Sequence, residues 1–139
     1  MAAELTIEIV TPERAAFAGS ASEVVLPGYL GELGVLPGHL PLVTLLRSGE
    51  LTAKTADGAR SFAIGSGFAE VLPGKVTVLV RHCCGADDVD IEHAKAELEV
   101  LTKALDKGEF DSEREMEEHL EEAARHRARL SIVDRATRG

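Results

Sequence analysis

Short segments in which apolar and polar residues alternate occupy the chain from Leu5 to Val80. Leu5–Val10 and Glu50–Thr55 show the alternation clearly, and turn dipeptides such as Asp57-Gly58 and Pro73-Gly74 separate successive segments. A period of two is typical of strands with one buried face, and closely spaced turns favour an antiparallel sandwich or barrel. We therefore expect nine or ten short strands. The predicted segments are Leu5–Val10, Arg14–Ala18, Glu23–Leu26, Glu32–Leu36, Leu42–Leu46, Glu50–Thr55, Arg60–Ile64, Phe68–Leu72 and Lys75–Val80.

The hydrophobic period changes beyond Gly85. From Asp88 onward, apolar residues recur every three or four positions, which is the spacing of one face of a helix. Asp90 lies where a side-chain oxygen caps a first turn, and Gly108 lies where a left-handed residue ends a helix. The apolar positions of this first predicted helix are Ile91, Ala94, Leu98, Leu101 and Leu105.

A second helix is predicted to start near Ser112, which forms an S-x-x-E capping box with Glu115. The connection between the helices, residues 108–111, is short, so we expect antiparallel neighbours. The apolar surface that the two helices bury against each other is small and offsets little of the conformational entropy lost when they become ordered. The hairpin should therefore pack against the strands or against another protein. The apolar positions of the second helix are Met116, Leu120, Ala123, Ala124, Ala128 and Leu130.

Composition is consistent with this division into strands and helices. The 139 residues are 45% hydrophobic with a mean hydropathy of +0.01, which allows a packed core. Residues 1–85 carry 8 acidic and 6 basic side chains, whereas residues 86–139 carry 16 acidic and 9 basic ones. We predict an α+β protein: an antiparallel β-sandwich domain at residues 1–85, followed by an antiparallel helical hairpin domain at residues 86–139.

The net charge of −9 argues against nucleic-acid binding, because phosphate backbones select basic surfaces. Apolar runs are too short for a membrane span, and the N-terminus lacks the pattern of a signal peptide, so we expect a cytoplasmic protein without direct membrane insertion. The second helix is acidic over residues 111–122 and basic over residues 125–138. This polarity either complements the helix dipole or provides an arginine-rich end for an acidic partner.

Recognisable catalytic motifs are absent from the sequence, so we expect a non-enzyme without cofactor or metal. His119 and His126 lie seven residues apart on one predicted helix face, and we interpret them as a solvated stripe. Cys83 and Cys84 are predicted to be reduced thiols, because a disulfide between adjacent residues is strained. Together with His82 they leave a metal-binding sandwich open as a weaker alternative.

A turn-rich corner, Leu26–Pro41, lies between the third and fifth predicted strands. Its residues 31–41 read GELGVLPGHLP and closely resemble the G-x-x-G-x-x-P-G-H-x-P signature of the epsilon subunits of F-type ATP synthases. Three further segments, Glu23–Gly28, Phe62–Val71 and Pro73–Leu79, resemble the same family in the same order. With the helical hairpin, the resemblance covers nearly the whole chain.

The resemblance implies a ten-stranded sandwich followed by two helices, in a central-stalk subunit that performs no chemistry itself. Such subunits bind the gamma subunit and contact the membrane-embedded c-ring, and thereby couple proton-driven rotation to ATP synthesis. Glu32 and the turn formed by Pro37, Gly38 and His39 match the family's loop that faces the ring. A bacterial member would lie peripherally on the cytoplasmic face of the plasma membrane.

The resemblance also implies a regulatory role for the hairpin. In bacterial members it can leave the sandwich, extend along gamma and inhibit ATP hydrolysis, with basic residues of the second helix meeting the alpha and beta catalytic subunits. Arg125, Arg127 and Arg129 are the corresponding residues here.

Some members bind ATP in the compact hairpin through an I/L-D-x-x-R-A motif and arginines of both helices. Here His93 replaces the arginine of the motif, and Val100 replaces a further arginine of the first helix. A largely neutral imidazole offers neither the permanent charge nor the two-pronged hydrogen bonding of a guanidinium, so we expect weak or absent ATP binding. A free-standing ATP-sensing module remains the alternative function. The matching positions are Asp90, Ala94, Arg125 and Arg129.

Overall fold

Ten strands are followed by two helices in the computed structural model, which describes residues 3–138. The predicted fold, a β-sandwich followed by a helical hairpin, is confirmed. Positions 1, 2 and 139 of the predicted domains lie outside the described residues. The elements are β1 Leu5–Val10, β2 Ala15–Ala21, β3 Glu23–Gly28, β4 Gly31–Val35, β5 Leu42–Leu46, β6 Gly49–Thr55, β7 Gly58–Ile64, β8 Gly67–Leu72, β9 Lys75–Val80, β10 Cys83–Gly85, α1 Ile91–Lys107 and α2 Glu113–Arg138.

The strands form one continuous ladder in the order β10-β7-β6-β3-β5-β8-β9-β1-β2, and β4 pairs with β3. The ladder folds over between β3 and β5, where Gly28 pairs with Leu46. Two layers result, and the alternating apolar residues of both layers meet in one core. The largest fully buried members are Leu5, Ile7, Ile9, Leu26, Leu51, Ile64, Val24, Val35, Val71 and Val76.

One strand pair departs from the predicted antiparallel arrangement. β1 runs parallel to β9, with Thr6 opposite Lys75 and Val10 opposite Leu79. The alternation of β1 specifies which face is buried but not the direction of the neighbouring strand, so the sequence pattern is compatible with either pairing.

Two strands extend beyond their predicted turn residues. β2 continues through Gly19, which lies opposite Ile7, and β3 continues through Pro27, which lies opposite Glu32. Proline lacks an N–H but keeps its carbonyl, and the carbonyl of Pro27 accepts a hydrogen bond of 2.9 Å from the backbone N–H of Arg47.

The helices of the hairpin begin and end close to the capping residues that the sequence predicts. The Asp90 carboxylate accepts the backbone N–H of His93 at 3.0 Å and caps α1, and Gly108 ends that helix with a left-handed φ of 67°. The Ser112 hydroxyl accepts the backbone N–H of Glu115 at 3.1 Å. The reciprocal bond differs from the predicted capping box, because the Glu115 carboxylate accepts the N–H of Asp111 at 2.8 Å.

Candidate functional site

One outer face of the sandwich exposes apolar side chains on three neighbouring strands, with Glu70 among them. Across the layer formed by β5, β8 and β9, Leu45 lies opposite Phe68, which lies opposite Leu79. Apolar side chains exposed in a contiguous patch commonly mark a protein interface. We call this set the open apolar face. It consists of Val43, Leu45, Phe68, Leu72 and Leu79.

The open apolar face was not recognised in the sequence, although β5 contains a signal for it. The strand reads Leu-Val-Thr-Leu-Leu, so apolar residues occupy both of its faces. Such a strand is typical of a sheet that is covered on both sides. In the isolated chain Leu46 faces the core, whereas Val43 is 67% exposed.

The residues predicted to face the c-ring lie at the two ends of β4. Glu32 is exposed on β4, opposite Pro27 and next to the turn at Tyr29 and Leu30. Pro37, Gly38 and His39 follow the other end of that strand, and the Gly38 N–H donates to the Pro73 carbonyl at 2.7 Å. Glu32 is therefore separated from the turn by the length of a strand, and the four residues do not form a single loop. The turn itself is bordered by four exposed apolar side chains: Leu36, Leu40, Leu42 and Leu72.

The hairpin covers the opposite layer, because α2 packs on β6, β7 and β10. A small apolar cluster joins them, centred on Ile132 and Ala128 of α2 and Ala63 of β7. Cys84, Ala86 and Val89 pack around it. This cluster is separate from the core of the sandwich. The expectation that the hairpin packs against the strands is confirmed.

Polar contacts reinforce this docking. The Glu121 carboxylate accepts the backbone N–H of Ser48 at 2.6 Å. Glu50 of β6 forms an ion pair with Arg135 and accepts the Ser131 hydroxyl at 3.4 Å. Part of the basic end of α2 therefore binds the sandwich in this conformation.

The three candidate interface arginines of α2 differ in exposure. Arg127 is exposed, whereas Arg125 and Arg129 are partly buried toward the sandwich. A cavity of about 210 Å³ beside them is also lined by Arg14 and Cys84. Among residues 3–138, the buried Nε of Arg129 has no hydrogen-bond partner.

The ATP-site candidates lie near one another across the helix pair. The ring of His93, between Asp90 and Ala94 in sequence, contacts the ring of His126 edge-on at 6.1 Å between centroids. His126 in turn lies between Arg125 and Arg129 in sequence. Asp90 already accepts a backbone N–H as the cap of α1, and Ala94 is fully buried in the hairpin.

Arg125 is also engaged, because its Nε and Nη2 donate to the two carboxylate oxygens of Glu122 at 3.1 and 2.9 Å. Val100, at the position of the missing first-helix arginine, is 64% exposed.

The interpretation of His119 and His126 as a solvated stripe is wrong for His126. His119 is partly buried beside the loop, with its ring against Phe110, but His126 is only 2% exposed. The α2 face that carries both histidines packs against α1, which helical spacing alone does not reveal.

Cys83 and Cys84 are free thiols, and they lie on a short strand of their own, β10. They point to opposite sides of the strand, since Cys83 packs against the sandwich core and Cys84 against the hairpin cluster. Burial raises the pKa of Cys83 to about 11 and also raises that of Cys84, so neither is a thiolate near neutral pH. Within residues 3–138, no group of three or more side chains could hold a metal ion.

A sandwich with one layer covered by its own hairpin and the other layer exposing apolar side chains defines a class of protein: a subunit that assembles with a larger partner. None of the helices described over residues 3–138 is long and apolar enough to cross a membrane.

Comparison with known proteins identifies one family. The family model for the β-sandwich domain of the ATP synthase delta/epsilon chain matches residues 4–86. The ATP synthase epsilon chains of Geotalea uraniireducens and Geobacter sulfurreducens are 41% and 39% identical to this chain, each with 99% of both chains covered. The chain belongs to the ATP synthase epsilon chain family.

Solved structures show the same fold. A chain of the Euglena gracilis mitochondrial ATP synthase has a TM-score of 0.73 at 20% identity, covering 93% of this chain and 80% of that one. A chain of the central stalk and c-ring assembly of the Tetrahymena thermophila enzyme has a TM-score of 0.61 at 11% identity, covering 93% and 96%.

Proposed function

We propose that this chain is the central-stalk rotor subunit of a proton-translocating F-type ATP synthase and couples c-ring rotation through gamma to ATP synthesis. The open apolar face carries this proposal, because it lies on the layer that the hairpin leaves uncovered. The face therefore binds gamma whether or not the hairpin is docked. The subunit performs no catalysis and lies peripherally on the cytoplasmic face of the plasma membrane.

The c-ring contact is assigned to the turn formed by Pro37, Gly38 and His39 and to the exposed Leu36 and Leu40 beside it. Gly38 has a φ of 87°, a conformation that favours glycine and sets the shape of this turn. Glu32 contributes from the opposite end of β4, so the surface that meets the ring is broader than one loop.

The hairpin acts as a brake on ATP hydrolysis. Its docking on the sandwich rests on a small apolar cluster and a few polar contacts, so that an alternative extended arrangement is accessible in energy. Arg125 and Arg129 are turned toward the sandwich and become available to the alpha and beta subunits only when α2 leaves it. Arg127 is already exposed in the docked arrangement.

The test is ATP hydrolysis by the reconstituted synthase with either the full-length chain or a chain ending at Gly85. We expect the truncated chain to bind gamma and to raise hydrolysis. A full-length control with Arg125, Arg127 and Arg129 all replaced by alanine should raise hydrolysis similarly while keeping the hairpin. Unchanged hydrolysis with both variants contradicts the brake, and loss of stalk binding on truncation contradicts the assignment of gamma binding to the sandwich.

We infer that the alternative role as an ATP sensor does not apply. Arg125 is already paired with Glu122, and His93 and Val100 stand where arginines would hold phosphate. Calorimetry should detect no micromolar affinity for ATP near neutral pH, and His93→Arg should tighten any residual binding. Micromolar or tighter binding by the unaltered chain contradicts this inference.

A further inference from the structure

His126 is the most enclosed histidine of the chain, with only 2% of its side chain exposed. It lies where α2 faces the start of α1, with the His93 ring edge-on against it. Its Nδ1 lies 3.5 Å from Nη1 of Arg129, and its Nε2 lies 3.9 Å from Oε2 of Glu122. The closed hairpin therefore places an imidazole between a cation and a carboxylate.

The contact with Arg129 favours one of the two neutral tautomers of His126. A guanidinium has donors and no acceptor, so Nδ1 of the imidazole accepts this hydrogen bond through its lone pair. At 3.5 Å this contact is long for a hydrogen bond, and it favours a neutral His126 in the closed hairpin, with its proton on Nε2 on the side of Glu122. A proton added to Nδ1 would set two N–H donors against each other and place a second cation beside Arg129.

The nearby carboxylate compensates little for such a cation. Both oxygens of Glu122 already accept hydrogen bonds from Arg125, and its contact with His126 is longer than a hydrogen bond. Burial, and then the charges of Arg125 and Arg129, lower the pKa of His126 from 6.5. The charged and titratable groups around the ring are Glu122, Arg125 and Arg129 on α2, His93 and Glu97 on α1, and His82 on the turn before β10.

We propose that protonation of His126 opens the hairpin, so that α1 is held against α2 near neutral pH and released in mild acid. In the open hairpin the ring is solvated and binds a proton more tightly than in the closed one. The closed form is therefore fully stabilised above about pH 6.5 and loses stability as the pH falls below it. One proton shifts the ratio of open to closed hairpin by at most about tenfold between pH 7.5 and 5.5.

Two other titratable groups near His126, Glu122 and His82, also bear on the stability of the closed hairpin between pH 7.5 and 5.5. The hydrogen bonds from Arg125 lower the pKa of Glu122 from 4.5, so this carboxylate stays ionised over the whole range. Burial is the main cause that lowers the pKa of His82. Protonation of His82 in mild acid therefore also destabilises the closed hairpin, in the same direction as protonation of His126.

Hydrogen exchange of the α1 amides in the full-length chain tests the proposal, with His126→Gln as the matched variant. Glutamine accepts from Arg129 through its side-chain carbonyl but does not titrate. Comparing the two proteins at the same pH cancels the intrinsic pH dependence of exchange. We expect the ratio of the unaltered to the variant exchange rate to rise up to about tenfold from pH 7.5 to 5.5. A control variant, His119→Gln on the same helix, should keep the pH dependence of the unaltered chain.

A ratio that does not change with pH overturns the proposal. A second measurement does not depend on the folding of any variant: nitrogen NMR of the imidazoles in the unaltered chain. A neutral His126 with its proton on Nε2, titrating below pH 6.5, supports the proposal. A proton on Nδ1 of the neutral ring, or titration at or above pH 6.5, overturns it.

Discussion

Replacing Ile132 by alanine should loosen the hairpin without loosening the sandwich. Ile132 is 1% exposed and packs in the small cluster between α2 and β7, apart from the main core. The substitution removes three buried carbon groups at about 0.8 kcal/mol each, or about 2.4 kcal/mol. Space that neighbouring side chains fail to fill places the full cost in the range of about 2–5 kcal/mol. A cost of about 2.4 kcal/mol raises the undocked population about 60-fold.

Hydrogen exchange resolved along the chain measures this effect directly. Amides of α2 should exchange about 60-fold faster or more in Ile132→Ala, while amides of core strands such as β1 and β9 keep their rates. The matched control is Val100→Ala, which trims a β-branched residue of α1 that is 64% exposed. It should change the exchange of α2 by less than about twofold, because surface substitutions are nearly neutral.

Two outcomes would refute the reasoning. Equal acceleration in α2 and in β1 would mean that hairpin and sandwich open as one cooperative unit, in spite of their separate clusters. An effect of Ile132→Ala no larger than that of Val100→Ala would mean that the apolar cluster does not hold the hairpin, and that the polar contacts do.

Three smaller perturbations test other parts of the structure. Gly67→Ala should lower the melting temperature of the sandwich, because its Cβ would meet the backbone of β9, whereas Gly74→Ala has open space and should be neutral; equal effects contradict this. A double-mutant cycle on Glu50 and Arg135 should give a coupling below about 1 kcal/mol that high salt removes, since the pair is partly exposed; a larger, salt-independent value contradicts this. The hydrogen-bonded Glu122 stabilises the hairpin fully above about pH 4.5, and this contribution is lost as the pH falls below that value. In urea unfolding, the free energy of unfolding of Glu122→Gln should therefore fall less with decreasing pH than that of the unaltered chain.

Local chemistry predicts most of the elements in this chain. The nine predicted strand segments, the cap at Asp90 and the stop at Gly108 each depend on residues close in sequence, and each is found, although β2 and β3 are longer than predicted and β10 was not predicted. The direction of β1 relative to β9 depends instead on where two distant segments meet. Alternation is the same for parallel and antiparallel neighbours, so the parallel pair could not be predicted from it.

The candidate surfaces were less predictable, because they depend on what covers each face. The apolar residues on both faces of β5 are a signal for a further covering element, but only the folded layers reveal that no element of residues 3–138 covers Val43 and Phe68. His126 presents the reverse case, since a polar residue on a charged helix indicates solvent, yet the pairing with α1 buries it. The uncovered strand face and the buried histidine both result from tertiary packing, which the sequence of a single helix or strand does not determine.

The parallel pairing of β1 with β9 has a consequence for how the protein is made. β1 leaves the ribosome before β9, and it cannot complete its pairing until the segment around Lys75 has also emerged, since Thr6 lies opposite that residue. Contacts between distant segments fold slowly, because a long loop must close before they form. The two helices of the hairpin, by contrast, are neighbours in sequence, and both are synthesised after the strands. During synthesis β1 therefore has β2 but not β9 available as a partner until most of the sandwich has been made, and the helices of the hairpin follow afterwards.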